Sequence, residues 1–403
     1  DVKVGETQTS GADGMVLFED LAPGDYTIKE VGPAPGYLLN TTPISVTVAE
    51  EAEGQPQTIE LEDFINYKGS VQLKKTDILG VGLQGAQFEI YDGEDVKVGE
   101  TQTSGEDGMV LFEGLAPGEY TIRETLAIDG YVRNTEGISV VIPDEFEGLP
   151  EVIDGGEMVN YLGSISLFKT DELDNPLRGA EFELYDADGE QIGEAQTSDG
   201  DGRVLFAHLA PGEYTIIETQ AAPGYILNTQ PIEVTVLAEA EGVPQATMEQ
   251  AVNYQGKVML IKLDSSDPDG RLEGAVFELI QQSSGKVLKT GLGTDSNGEL
   301  LVEGLAPGTY AFRETQAPKD YELSDAVYFF EITDRTAGEP ELIEIVVTNE
   351  KIASFTDETD GKATKTGYEN VQMTLLIGVM AAGLAACVAI LLVKRNRNRR
   401  DAS

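Results

Sequence analysis

The chain repeats itself. Its opening segment, DVKVGETQTSGADGMVLFEDLAPGDYTIKE, returns from Asp95 as DVKVGETQTSGEDGMVLFEGLAPGEYTIRE, and looser copies follow as GRVLFAHLAPGEYTIIETQAAPGY and GELLVEGLAPGTYAFRETQAPKDY. The glutamates of these segments, Glu30, Glu124, Glu218 and Glu314, stand about 95 residues apart. Solenoid units are far shorter, so the period means whole domains in tandem.

Within each copy, Val and Ile alternate with polar residues in ISVTV, IEVTV and ISLFK, the period of a half-buried strand. Turn chemistry separates the strands: Asp13-Gly14, Asp107-Gly108, Asp201-Gly202, Asn297-Gly298 and a recurrent Ala-Pro-Gly. No sustained helical period precedes the C-terminal region. Several short strands per copy predict an all-β chain of Ig-like antiparallel sandwiches. The Asn-Tyr pairs at Asn66-Tyr67, Asn160-Tyr161 and Asn253-Tyr254 set the expected copies at 1–66, 67–160, 161–253 and 254–350. The first is expected to be partial, because the sequence opens after its first strand. Joints of a residue or two favour a semi-rigid rod over beads on a string.

Composition narrows the function. The 403 residues carry 72 acidic and 27 basic side chains, a formal charge of −45, which repels nucleic acid. A single cysteine, Cys387, excludes disulfides within the chain, so stability has to come from elsewhere.

Strand parity then puts polar groups where a core should be. Each complete copy opens with a strand ending in lysine: GSVQLKKTD, GSISLFKTD and GKVMLIKLD. Side chains two apart share a face, so Val71, Leu73 and Lys75 point the same way, as do Ile165, Leu167 and Lys169, and Val258, Leu260 and Lys262. The same count aligns Glu124 with Tyr120 and Ile122, Glu218 with Tyr214 and Ile216, and Glu314 with Tyr310 and Phe312. In the closing strands it aligns Asn160 with Met158, Asn253 with Ala251, and Asn349 with Ile345 and Val347. Each complete copy thus directs a Lys, a Glu and an Asn inward, where unpaired charge is costly and the three should meet. Two outcomes stay open on parity alone. One is a buried ion pair with a hydrogen-bonded Asn. The other is chemistry: a desolvated neutral amine attacks the Asn amide while a protonated Glu hydrogen-bonds its carbonyl oxygen and moves protons to the departing ammonia.

The Lys-x-Asp strand, the segment from tyrosine through Glu-Thr to Ala-Pro and a second tyrosine, and the terminal Asn together resemble the Cna B-type (SpaA-like, prealbumin-like) domains of Gram-positive adhesins and pilins. The resemblance covers nearly all of residues 1–350. It implies a prealbumin-like sandwich with an isopeptide bond between the first-strand Lys and the last-strand Asn, promoted by the Glu. Here these are Lys75–Asn160 with Glu124, Lys169–Asn253 with Glu218, and Lys262–Asn349 with Glu314. The first copy has Glu30 and Asn66 but no lysine strand in this sequence. The second reads Leu126-Ala127-Ile128-Asp129-Gly130-Tyr131 where the family has Ala-Pro, a change confined to a loop.

Other polar residues have plainer readings. Glu89, Glu183 and Glu278 each follow a buried-looking Phe, so alternation turns them to solvent. The acidic segments at Asp199-Gly200-Asp201 and Asp295-Ser296-Asn297 lack calcium-loop spacing and read as hairpin turns. His208 is the sole histidine and has no cysteine near it. No metal, cofactor or external catalytic motif is expected.

After Asn349 a polar linker, 351–370, leads to the apolar run 371–393 and the basic tail 394–403. At about 1.5 Å per residue the run is long enough to span a bilayer as a helix, with the tail held in the cytoplasm. Ala363-Thr364-Lys365-Thr366-Gly367 resembles the sortase sorting signal Leu-Pro-x-Thr-Gly, with Ala363 and Thr364 in place of Leu-Pro. It implies cleavage after Thr366 and transfer to a peptidoglycan or pilus amine, after membrane insertion. The expected function is therefore the stalk of a wall-anchored adhesin, with sortase as a partner. A host-matrix ligand would be met by an N-terminal region outside this sequence. Two alternatives are a pilin subunit, for which no Tyr-Pro-Lys motif appears, and repeats that bind a matrix ligand themselves.

Overall fold

The computed structural model describes residues 2–50, 54 and 58–353. Residues 1–352 form one compact unit. The strand alternation becomes three successive two-sheet sandwiches, each around its own apolar cluster. In the second copy the strand Gly69–Thr76 lies between Ile153–Val159 and Met109–Leu115, and faces a sheet of Ile138–Ile142, Gly118–Leu126, Gln87–Asp92 and Lys97–Thr103. The third and fourth copies repeat this plan around Gly163–Thr170 and Gly256–Asp264.

Within each complete copy the pairing is antiparallel with one exception. The opening and closing strands run parallel side by side: Lys75 lies opposite Met158, Lys169 opposite Ala251 and Lys262 opposite Val347. Parallel neighbours cannot be joined by a hairpin, so the rest of the copy forms the crossover between them. The lysine strand and the asparagine strand are thus far apart in sequence and adjacent in space.

Two turn motifs fix the frame. The tyrosine that follows each Leu-Ala-Pro-Gly donates its hydroxyl to the carbonyl of the turn alanine: Tyr120 to Ala116, Tyr214 to Ala210 and Tyr310 to Ala306, at 2.8–2.9 Å. The hairpin glycines Gly108, Gly202 and Gly298 have φ of +81°, +76° and +69°. Each accepts the N–H of the core lysine. A Cβ at Gly108 would fall 2.2 Å from the Lys75 carbonyl oxygen, so only glycine lets the turn close against the lysine strand.

The first copy departs from this plan. It keeps one antiparallel pair, Gly24–Ile28 with Ile44–Val48. Its Met15-Val16-Leu17-Phe18 has the sequence of Met109-Val110-Leu111-Phe112, yet forms no strand, and Val16 is 42% exposed where Val110 is 2% exposed. Met109–Leu115 pairs with Gly69–Thr76, and this sequence holds no counterpart of that strand for the first copy.

The expected transmembrane helix is corrected. No helix of the described residues is long and apolar enough to cross a membrane. The run 371–393, the tail 394–403 and the motif Ala363–Gly367 lie outside the described residues.

Candidate functional site

In each complete copy the three polar residues come together inside the sandwich. Lys75, Lys169 and Lys262 are fully buried, and the glutamates and asparagines nearly so. Lysine enters from the opening strand and asparagine from the end of the adjacent parallel strand. Glutamate enters from the facing sheet, whose strand carries it opposite the core phenylalanine: Glu124 with Phe88, Glu218 with Phe182 and Glu314 with Phe277.

The glutamate bridges the other two. Its Oε1 faces the lysine Nζ at 3.4 Å (Lys75–Glu124), 3.4 Å (Lys169–Glu218) and 3.5 Å (Lys262–Glu314). Its Oε2 accepts from the asparagine Nδ2 at 2.8 Å (Asn160), 2.7 Å (Asn253) and 2.9 Å (Asn349). This differs from the expectation that the glutamate would sit at the amide carbonyl oxygen; it sits at the nitrogen that would leave. The carboxyl therefore bridges the lysine amine and the asparagine amide nitrogen with its two oxygens, the placement a proton shuttle between them would need.

Burial shifts the amine toward its neutral form. Burial lowers the pKa of Lys75 and of Lys169 to about 8, against the opposing pull of Glu124 and Glu218. Lys262 is lowered for the same reason. Burial also raises Glu218, partly offset by Lys169 and by the hydrogen bonds it accepts. In the third copy the lowered amine and the raised acid both ease transfer of a proton from Lys169 to Glu218. The lysine amine also contacts a closing-strand carbonyl, Met158 O at 3.1 Å or Ala251 O at 3.3 Å. In the fourth copy Lys262 Nζ touches Asn349 Oδ1 directly.

Two groups escaped the sequence reading. A backbone N–H ten residues after each glutamate, from Asn134, Asn228 or Ser324, donates to Oε2 at 2.8–2.9 Å and fixes the carboxylate. In the third copy the Ala222 N–H donates to Asn253 Oδ1 at 3.0 Å, where negative charge would develop during attack. Asn160 Oδ1 has no hydrogen-bond partner. Both groups are backbone donors, so side-chain pattern could not reveal the second. The first had a signal, the recurring Asn-Thr of LLNT, VRNT and ILNT. In the first copy, Asn66 Nδ2 and Asn40 N both donate to Glu30 Oε2 at 2.8 Å, so the arrangement forms there without a lysine.

The remaining polar expectations divide. Asp199 and Asp295 cap their hairpin turns by accepting backbone N–H groups. Glu89 and Glu183 are half-buried and hold Tyr91 and Tyr185. Glu278 corrects the outward reading: it is 8% exposed and paired with Arg313, whose alkyl chain and guanidinium come from the neighbouring strand.

The model of the SpaA prealbumin-like fold domain matches residues 1–63, 69–150, 163–251 and 256–351. The chain belongs to this family. Among curated proteins, these SpaA repeats are similar to Colossin-A of Dictyostelium discoideum, 25% identical over 394 residues, 85% of this chain and 4% of that protein. They are also similar to the Trypsin-resistant surface T6 protein of Streptococcus pyogenes, 27% identical over 136 residues, 34% of this chain and 25% of that protein. The chain thus spans a small part of either relative. Among solved structures, the Bacillus anthracis TIE protein is 26% identical, with a TM-score of 0.35, over 70% of this chain and 51% of that one. A streptococcal ancillary pilin is 21% identical, with a TM-score of 0.28, over 70% and 98%.

Proposed function

We propose that the SpaA repeats form a tension-bearing stalk of a cell-surface protein, and that each complete repeat closes itself with a Lys–Asn isopeptide bond. The observation that carries this reading is the carboxyl bridge between amine and amide, repeated three times in buried cores. In the reaction, the ammonium gives its proton to Glu, and the neutral Nζ attacks the asparagine Cγ. The protonated Glu passes its proton to the amide nitrogen. The Cγ–Nδ2 bond breaks as ammonia leaves; of the two protons left on Nζ, one passes to the carboxylate and the other stays as the N–H of the new amide. One C–N bond forms and one breaks, with no oxidant or cofactor. The chemistry acts once, on the chain itself.

Parallel opening and closing strands support the mechanical half of the proposal. Pulling on the two ends of a repeat shears these neighbours past each other. A Lys75–Asn160 bond carries the pull directly from one to the other and leaves Thr76 to Val159 outside the path. Attachment at Thr366 by a sortase, to a peptidoglycan or pilus amine, belongs to the same proposal and fits the family. A host ligand would be bound by parts of the protein beyond this sequence. Intact mass of the purified chain tests the chemistry. The expected result is a deficit of one ammonia per complete repeat, and a mass equal to the calculated one in folded protein overturns it.

A further inference from the structure

Successive repeats are held together by a second device that recurs at every joint. Two residues of one repeat pair in parallel with two of the next: Leu39-Asn40 with Glu145-Phe146, Arg133-Asn134 with Glu239-Ala240, and Leu227-Asn228 with Arg335-Thr336. The flanking amides repeat as well. Leu39, Arg133 and Leu227 donate to Asp144, Ala238 and Asp334; Thr41, Thr135 and Thr229 donate to Phe146, Ala240 and Thr336, all at 2.7–3.0 Å.

Side chains complete the contact. Asn134 Oδ1 accepts the N–H of Gly242 at 3.1 Å, and Asn228 Oδ1 accepts that of Gly338 at 3.0 Å. At the first joint Thr42 Oγ1 takes this role for Gly148 at 2.8 Å. All three glycines have positive φ, between +63° and +86°, and each begins a Gly-x-Pro. The residue two before each asparagine is apolar and buried: Leu38, Val132 and Ile226. Leu38 belongs to the core cluster of the second repeat and Ile226 to that of the fourth, so each is inserted into the repeat that follows. In the fourth copy the same two positions are Glu322 and Ser324.

We propose that this apolar-x-Asn-Thr segment is a docking element for the Gly-x-Pro loop and core of the following repeat. It makes each joint a fixed hydrogen-bonded interface, and Glu322 with Ser324 mark a repeat that lacks the element. A charged Glu at the insertion position cannot enter an apolar core without a partner. The oxygen of serine lies one bond nearer the backbone than the Oδ1 of asparagine. The joint stands apart from the cross-link chemistry, although the asparagine that docks the next repeat also donates its N–H to the cross-link glutamate.

The test transplants the fourth copy's residues into the third joint of the full chain: Ile226→Glu with Asn228→Ser. Amide hydrogen exchange at Leu227 and Thr229 is expected to accelerate about tenfold or more, while Ile216 and Leu260 within the two sandwiches keep their protection. Spin labels at Asp188→Cys and Ser284→Cys, in a Cys387→Ser background, are expected to show a distance distribution that broadens across the joint. Unchanged exchange and distance overturn the proposal. If the double variant loses protection inside the sandwiches, Asn228→Ala decides instead, since it leaves the inserted Ile226 in place. Faster exchange at Leu227 and Thr229 supports the docking element, and no change overturns it. The mass deficit of the same samples reports the cross-links separately, so either idea can fail alone.

Discussion

Lys262 Nζ and Asn349 Oδ1 are in direct contact, across two strands that begin and end the fourth repeat and run parallel in one sheet. No hairpin could bring them together. The contact exists because the intervening strands fold into a crossover that returns the chain to its starting edge, with Glu314 reaching in from the opposite sheet.

The glutamate is the residue whose loss is most diagnostic. Glu218→Ala is expected to restore one ammonia to the intact mass while the second and fourth repeats keep their deficits. It also leaves Lys169 buried without its partner, a situation that typically costs about 3–5 kcal/mol. By analogy with a disulfide closing a loop of that length, the lost cross-link would remove about 4–5 kcal/mol more. Calorimetry should therefore show the third repeat melting first, ahead of the other two.

Acidity gives a second handle, in a chain that cannot complete the bond. With Asn253→Ala, Lys169 stays a free amine, with a folded pKa of about 8 against an unfolded value near 10.5. Between those values the unfolded state binds more protons than the folded one, so stability rises with pH. The denaturation midpoint of the third repeat is expected to climb from pH 8 to pH 10.5. A midpoint flat across that window would mean the amine is not desolvated.

The Ala222 N–H predicts a kinetic difference. As the donor to Asn253 Oδ1 it should stabilise the oxyanion of the tetrahedral intermediate. Ala222→Pro removes that N–H and should slow bond formation in the third repeat by about a hundredfold, the low side of what loss of an oxyanion donor costs. Following the mass deficit over time after synthesis would measure it, with the second and fourth repeats as internal references.

Mechanical extension supplies a fourth check. Cross-linked repeats should lengthen under force without releasing the chain between lysine and asparagine. In Glu218→Ala the third repeat should release Thr170 to Val252, about 3.5 Å per residue, as one added step. Such steps from all three repeats of the unaltered chain would contradict the proposed load path.

Much of this was written in the sequence. The period fixed the tandem arrangement, because near-identical segments must fold alike when their surroundings are alike. Alternation placed nine polar side chains inward, Lys75, Lys169 and Lys262 among them, because a strand allows two faces and the apolar neighbours choose one. The Asp-Gly turns marked where the backbone needs a positive φ. These are local properties, and local sequence decides them.

Tertiary structure decided the rest. Parity says that Lys75 faces inward but not that Asn160 lies on the next strand, since the parallel pairing is set by how the whole copy packs. It misjudged Glu278, because the Arg313 that makes its burial tolerable comes from another strand. The clearest case is Met15-Val16-Leu17-Phe18 against Met109-Val110-Leu111-Phe112: one sequence, a strand in one copy and none in the other. A strand needs a partner to satisfy its backbone and cover its apolar face, and only the second copy has Gly69–Thr76 beside it.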